Sequence, residues 1–98
     1  MTAQVLGIKR EPHAGKMRYV TVVDGHEAEM TYLTPDPKTI VIDHTFVPRE
    51  LAGRGVGQAM VLRAVEDARK GGYKIHPTCP FAKAQLEKHK EWQDVLAR

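Results

Sequence analysis

The sequence predicts a small α/β fold, α+β in the order of its elements: an antiparallel β-meander, a glycine turn, a central helix, one parallel strand and C-terminal helices. Three observations predict it. Runs rich in β-branched and aromatic residues fill the first half, separated by turn residues. Glycine occupies alternate positions in Gly53-Arg54-Gly55-Val56-Gly57, and directly after this stretch the apolar spacing changes from strand-like to helical.

The first candidate strand is Val5 to Arg10, followed by a turn at His13-Ala14-Gly15. Met17 to Val23 meets Glu27 to Leu33 across Asp24-Gly25, a pair that tolerates the positive φ values a two-residue hairpin requires. Thr34-Pro35-Asp36-Pro37 is predicted to break the chain, because proline removes ladder donors and favours turns. The apolar strand Ile40 to Val47 follows. Strict alternation along it puts Ile40, Ile42, His44 and Phe46 on one face and Val41, Asp43, Thr45 and Val47 on the other.

From Val56 to Lys70 the period is helical, with Gly57, Met60, Val61, Ala64, Val65 and Ala68 in an apolar stripe and Arg63, Glu66, Asp67 and Lys70 in a polar one. Gly71-Gly72 ends that helix as a left-handed cap would. Tyr73 to His76 is a short strand, parallel to Ile40 to Val47 because a helix has intervened. Helical segments follow at Pro80 to His89 and Glu91 to Leu96, where Trp92, Val95 and Leu96 form a packing cluster.

Composition bounds the function. At 98 residues and 42% hydrophobic, the chain can bury one modest core, so residues 1–98 are expected to form a single domain. The absence of a long apolar run argues against a membrane role, and Lys9, Arg10 and Glu11 argue against a signal peptide, so a cytoplasmic protein is expected. The single cysteine, Cys79, excludes an internal disulfide framework, and the five histidines are too scattered to suggest a metal site. A formal net charge of +3 attracts anions mildly. Lys and Arg are not clustered, and Tyr19, Tyr32 and Phe46 are dispersed, so no nucleic-acid partner is expected.

The most informative stretch runs from Phe46 to Gly57, a strand end leading through Pro48 into the alternating glycines. Side-chain-free residues there let backbone N–H groups point at an anion, and the positive end of the following helix adds to the attraction. A diphosphate fits. A P-loop would need Lys then Ser or Thr after the last glycine, where Gln58 and Ala59 stand. A Rossmann fingerprint starting at Gly53 would need Gly or Ala at position 58, which is Gln58. A glycine turn serving only close packing is the unliganded alternative.

The pattern resembles the coenzyme A pyrophosphate loop of the GNAT acyltransferases: commonly Arg or Gln, two residues, Gly, one residue, then Gly or Ala. Gly55 and Gly57 are in register, and Ala52 stands where that family usually has Arg or Gln. Asp43-His44-Thr45-Phe46-Val47-Pro48 and His76-Pro77-Thr78-Cys79-Pro80-Phe81, with Ala28 and Trp92, are similar to very short GNAT-like proteins carrying a cysteine and glycine signature. The resemblance implies an N-acetyltransferase with acetyl-coenzyme A as acyl donor, no metal, and a small-molecule or peptide amine as acceptor. It implies that Phe46 and Val47 lie along the pantetheine arm and that Ala52, Gly53, Arg54, Gly55, Val56, Gly57 and Gln58 surround the diphosphate. Cys79 would lie near the thioester. Neither the acceptor's identity nor the oligomeric state is legible in the sequence.

Two residues are catalytic candidates. Cys79 precedes Pro80, a favoured first helical residue, so its sulfur sits where a helix dipole favours a thiolate; free cysteines are also often buried and inert. His44 is either a general base for an incoming ammonium or a hydrogen-bonded core residue. Acetyl transfer is then direct, or passes through Cys79. The competing class is a non-catalytic acyl-coenzyme A binder or protein-interaction module.

Overall fold

The computed structural model describes residues 7–97, so the first residues of the candidate strand at 5–10 lie outside it. Five strands form one sheet in the order β1 (Lys9–His13), β2 (Lys16–Val23), β3 (His26–Asp36), β4 (Thr39–Phe46) and β5 (Lys74–Pro77). The first four are antiparallel neighbours and β5 runs parallel to β4. Helix α1 (Val56–Gly71) makes the crossover between β4 and β5, and α2 (Pro80–Lys88) follows.

The β2–β3 hairpin turns at Asp24 and Gly25, both at positive φ (51° and 79°), as the dipeptide predicts. Two strands extend beyond their sequence-predicted ends. β1 continues through Pro12 to His13, which an edge strand tolerates because its outer side needs no donor. β3 continues through Thr34 and Pro35 to Asp36, where a break is predicted. The register with β4 slips between Leu33 and Asp36, and this irregularity accommodates the proline. The reversal falls instead after Asp36, whose Oδ1 accepts the Lys38 N–H at 2.7 Å.

A second irregularity redirects half of β4. Thr31 pairs with His44 and Tyr32 with Ile42, so Asp43 is an extra residue in β4. Before this bulge the predicted alternation holds, and Ile40 and Ile42 are buried against the helices. After it the faces exchange. His44 and Phe46 lie on the face away from the helices, opposite Thr31 and Glu29, while Thr45 lies on the helix side, opposite buried Met30. His44 is therefore an exposed residue and not one among apolar neighbours.

The core fills the space between one sheet face and the helices. Tyr19, Met30, Ile42, Met60, Ile75 and Leu86 are among its fully buried members, and the buried stripe of α1 contains every position that the helical periodicity predicts. Helix α1 stops where Gly72 adopts a left-handed φ of 73° and donates its N–H to Ala68 O. One polar anchor crosses the core edge: the Tyr19 hydroxyl donates to Asp67 Oδ2 at 2.7 Å. Burial and this carboxylate push the Tyr19 phenol well above its ordinary pKa. Beyond α2, a 3₁₀ turn over Lys90–Val95 packs Trp92 and Val95 into the core, and the Ala97 N–H reaches Ile75 O at 2.8 Å.

Candidate functional site

β4 ends at Phe46, and Val47 and Pro48 lead into a short 3₁₀ turn, Arg49–Leu51, pinned by buried Leu51. The glycines that follow divide into two roles. Gly53 and Gly55 adopt φ values of 77° and 76°, strained for any L side chain, while a Cβ at either would meet nothing within 4 Å. They are required by backbone conformation. Gly57 sits inside the helix, and a Cβ there would lie 2.7 Å from Phe81 Cζ and 3.4 Å from Val47 Cγ2. It is required by the close approach of the Phe81 ring.

Gly55 is the N-cap of α1 and offers no side-chain acceptor, and the first helical turn holds no acidic residue. The first helical bond is Ala59 N–H to Gly55 O at 3.0 Å, so the N–H groups of Val56, Gly57 and Gln58 have no partner among the described residues. They face outward at the positive end of a helix of 16 residues. Beside them is a groove of about 300 Å³. Val47, Leu51, Val56 and Phe81 give it apolar walls, Ala52, Gly53, Gly55, Gly57 and Gln58 line the turn side, and Gln85 closes one end. None of these side chains ionises.

The groove adjoins a parting of strands. The β4–β5 ladder ends at Ile42 and Pro77, after which Thr78 and Cys79 both donate their N–H groups to Ile42 O, at 2.9 and 3.1 Å. β4 continues from Asp43 to Phe46 with no β5 partner. Cys79 caps α2 here, with Pro80 at the first helical position as its sequence predicts. Its side chain is only 5% exposed, and its Sγ lies 3.4 Å from Thr45 Oγ1, so the bulge that turns Thr45 inward also gives the thiol its partner.

The residues singled out by sequence therefore separate. Val47, Ala52, Gly53, Gly55, Val56, Gly57 and Gln58 converge on the groove. Arg54 turns away from it, and its Nη1 donates to Asp24 Oδ2 in the hairpin turn at 2.7 Å. Phe46 is 52% exposed on the open face, which leaves only its backbone available to the strand gap. His44 is on that face too, separated by the sheet from Cys79. Its neighbour Asp43 accepts from Thr31 Oγ1 at 2.6 Å and pairs with Lys16. Burial pushes the Asp43 carboxyl up, but the hydrogen bonds from Lys16 and Thr31 outweigh it and hold the group below its ordinary pKa. Phe81 and Gln85 are groove residues that the sequence reading missed; the signal for Phe81 was a glycine, Gly57, on the buried stripe of α1.

A diphosphate fits the free N–H groups, and an apolar arm fits the walls beside them. No group of three His, Cys, Asp or Glu side chains suited to a metal occurs among the described residues, and no described helix is long and apolar enough to cross a membrane.

Residues 18–95 match the GCN5-related N-acetyl-transferase family. A GCN5-like N-acetyltransferase candidate from Staphylococcus aureus, whose solution structure was determined by NMR, is similar in sequence and fold. It is 40% identical over 94% of this chain and 88% of that one, with a TM-score of 0.71. No curated protein matches the chain. With a family match that runs from within β2 through β5 and takes in the glycine turn and both helices, the chain belongs to the GCN5-related N-acetyltransferase family.

Proposed function

We propose that this chain binds acetyl-coenzyme A through the glycine turn and transfers the acetyl group to an amine. The observation that carries the reading is the uncapped start of α1, where three unpartnered N–H groups open onto an apolar groove. Val56, Gly57 and Gln58 would hold the diphosphate, and Val47 and Phe81 would hold the arm. The gap between β4 and α2 would receive the acyl end beside Cys79. Bound there, the coenzyme supplies an activated acyl carbon. The reading belongs to the cytoplasm, where a lone thiol stays reduced.

The chain's own residues constrain the proton traffic. No groove-lining side chain can take a proton from an ammonium, and His44 stands across the sheet. Direct transfer thus requires an amine that arrives neutral or loses its proton to water. A covalent route requires the Cys79 thiol to lose its proton, and the Thr45 hydroxyl bonded to it is too weak a base to accept it. The same absence of ionisable groups favours a second reading, a binder of acyl-coenzyme A without efficient turnover. The acceptor is a small-molecule or peptide amine in the first reading and absent in the second.

Calorimetric titration and intact-protein mass measurement with acetyl-coenzyme A test both. Gly55→Glu brings a side chain and a negative charge to the cradle and should weaken binding at least about tenfold. Equal binding by the folded variant would move the site elsewhere. An acetyl mass on wild type that is missing from Cys79→Ala identifies the covalent route, and turnover retained by that variant identifies direct transfer.

A further inference from the structure

Helix α2 enters the groove wall with Phe81 and leaves it with Gln85, four residues later. Cys79 marks the strand gap, and Phe81 stands over Gly57. Gln85 thus lies beyond the glycine turn on the side away from the gap, about 6 Å farther along the helix axis. Its side chain is partly buried, and its Oε1 is sealed from solvent without a hydrogen-bond partner. Such an orphaned acceptor costs free energy that a ligand donor would return. The other orphaned side-chain atom among the described residues is His89 Nε2, four residues on, whose ring stacks on Trp92 at 3.9 Å.

With the diphosphate on the α1 N–H groups and the acyl arm directed to Cys79, the rest of the coenzyme must leave past Gln85. The diphosphate offers only acceptors, whereas the portion beyond it carries O–H and N–H donors. The geometry points to Gln85 as the residue that reads this nucleotide half. Its amide turns outward about the last side-chain torsion, which is soft and two-fold, and Oε1 accepts from a ribose hydroxyl or the adenine amino group. This inference rests on the groove taking coenzyme A.

The test compares wild type with Gln85→Met by calorimetric titration of coenzyme A, its deaminated-adenine analogue and 4′-phosphopantetheine, with melting curves of the unliganded proteins. Gln85→Met should bind coenzyme A about tenfold more weakly and 4′-phosphopantetheine within about twofold of wild type. Its unliganded melting temperature should not fall, since an orphaned group has been removed. If the deaminated analogue lowers wild-type affinity as the variant does, the amino group is the donor; if wild type binds both coenzymes alike, it is a ribose hydroxyl. Unchanged coenzyme A affinity overturns the assignment, as does an equal loss for 4′-phosphopantetheine. A lowered melting temperature with intact affinity assigns Gln85 a structural partnership with His89 instead. Wild type that binds no coenzyme A sinks the groove reading itself and this inference with it.

Discussion

On the helix-covered side of the sheet, the groove has apolar walls and backbone donors, whereas the open side is held by charge. There the Arg18 guanidinium reaches Glu11 at 2.7 Å, Glu29 at 2.8 Å and Glu27 at 3.3 Å, and Lys16 pairs with Asp43. The hydrogen bonds with Glu29 and Glu11 raise the already high pKa of Arg18. One residue thus ties β1, β2 and β3 together. The contrast separates two uses of polar chemistry. Side-chain charges fix the strands to each other, while in the proposed site the diphosphate would be held by main-chain groups, which keep their donors at every pH.

Substitutions on the two sides should therefore move different observables. Of three such substitutions, the largest effect is expected at Gly57→Ala. Its Cβ displaces the Phe81 ring from the groove wall, and coenzyme A affinity should fall about tenfold, or about 1.4 kcal/mol, with little change in unfolding free energy because alanine also favours the helix. Calorimetry and urea unfolding on one preparation check it, and a loss of stability without a loss of binding would break the division.

Arg18→Met should do the reverse. It leaves three carboxylates facing one another and should cost about 1 kcal/mol of stability, more at low salt, with unchanged coenzyme binding. A change in affinity would mean that the open face participates in the site.

The smallest effect is a pH dependence at Asp43. Its folded pKa is depressed, so its contribution is complete above the ordinary carboxyl value of about 3.9 and disappears as the pH falls through the lower folded value. The stability gap between wild type and Asp43→Asn, followed by urea unfolding, should close with acid over that window. A gap that widens would reverse the assignment.

What the sequence made legible was chemistry confined to a few neighbouring residues. Asp24-Gly25 specifies its own hairpin, the stripe from Gly57 to Ala68 specifies the buried side of α1, and Gly72 specifies its end. The extra residue at Asp43 was not legible. A bulge leaves no mark in composition, and alternation counted through it assigns His44, Thr45 and Phe46 to the wrong faces. Pro35 misled for a related reason, since a slipped register removes the cost that a proline imposes on a regular ladder. The donor side of the groove was readable from its glycines. Its other wall arises where α2 packs on α1, and there only the missing Cβ of Gly57 hinted at the Phe81 ring.

The two borders of the sheet are closed in different ways. Pro12 interrupts the outer donors of β1, and beside β5 the chain returns so that Leu96 bridges to Ile75. A strand from another molecule thus finds poor footing at either border. The stretch of β4 from Asp43 to Phe46 is different, because β5 has already left it. Its main-chain groups on that side, without a partner among the described residues, lie within the sheet, flanked by Cys79 and the mouth of the groove. On the proposed reading, an extended amide-bearing chain such as the coenzyme's arm would be taken up there as a short missing strand.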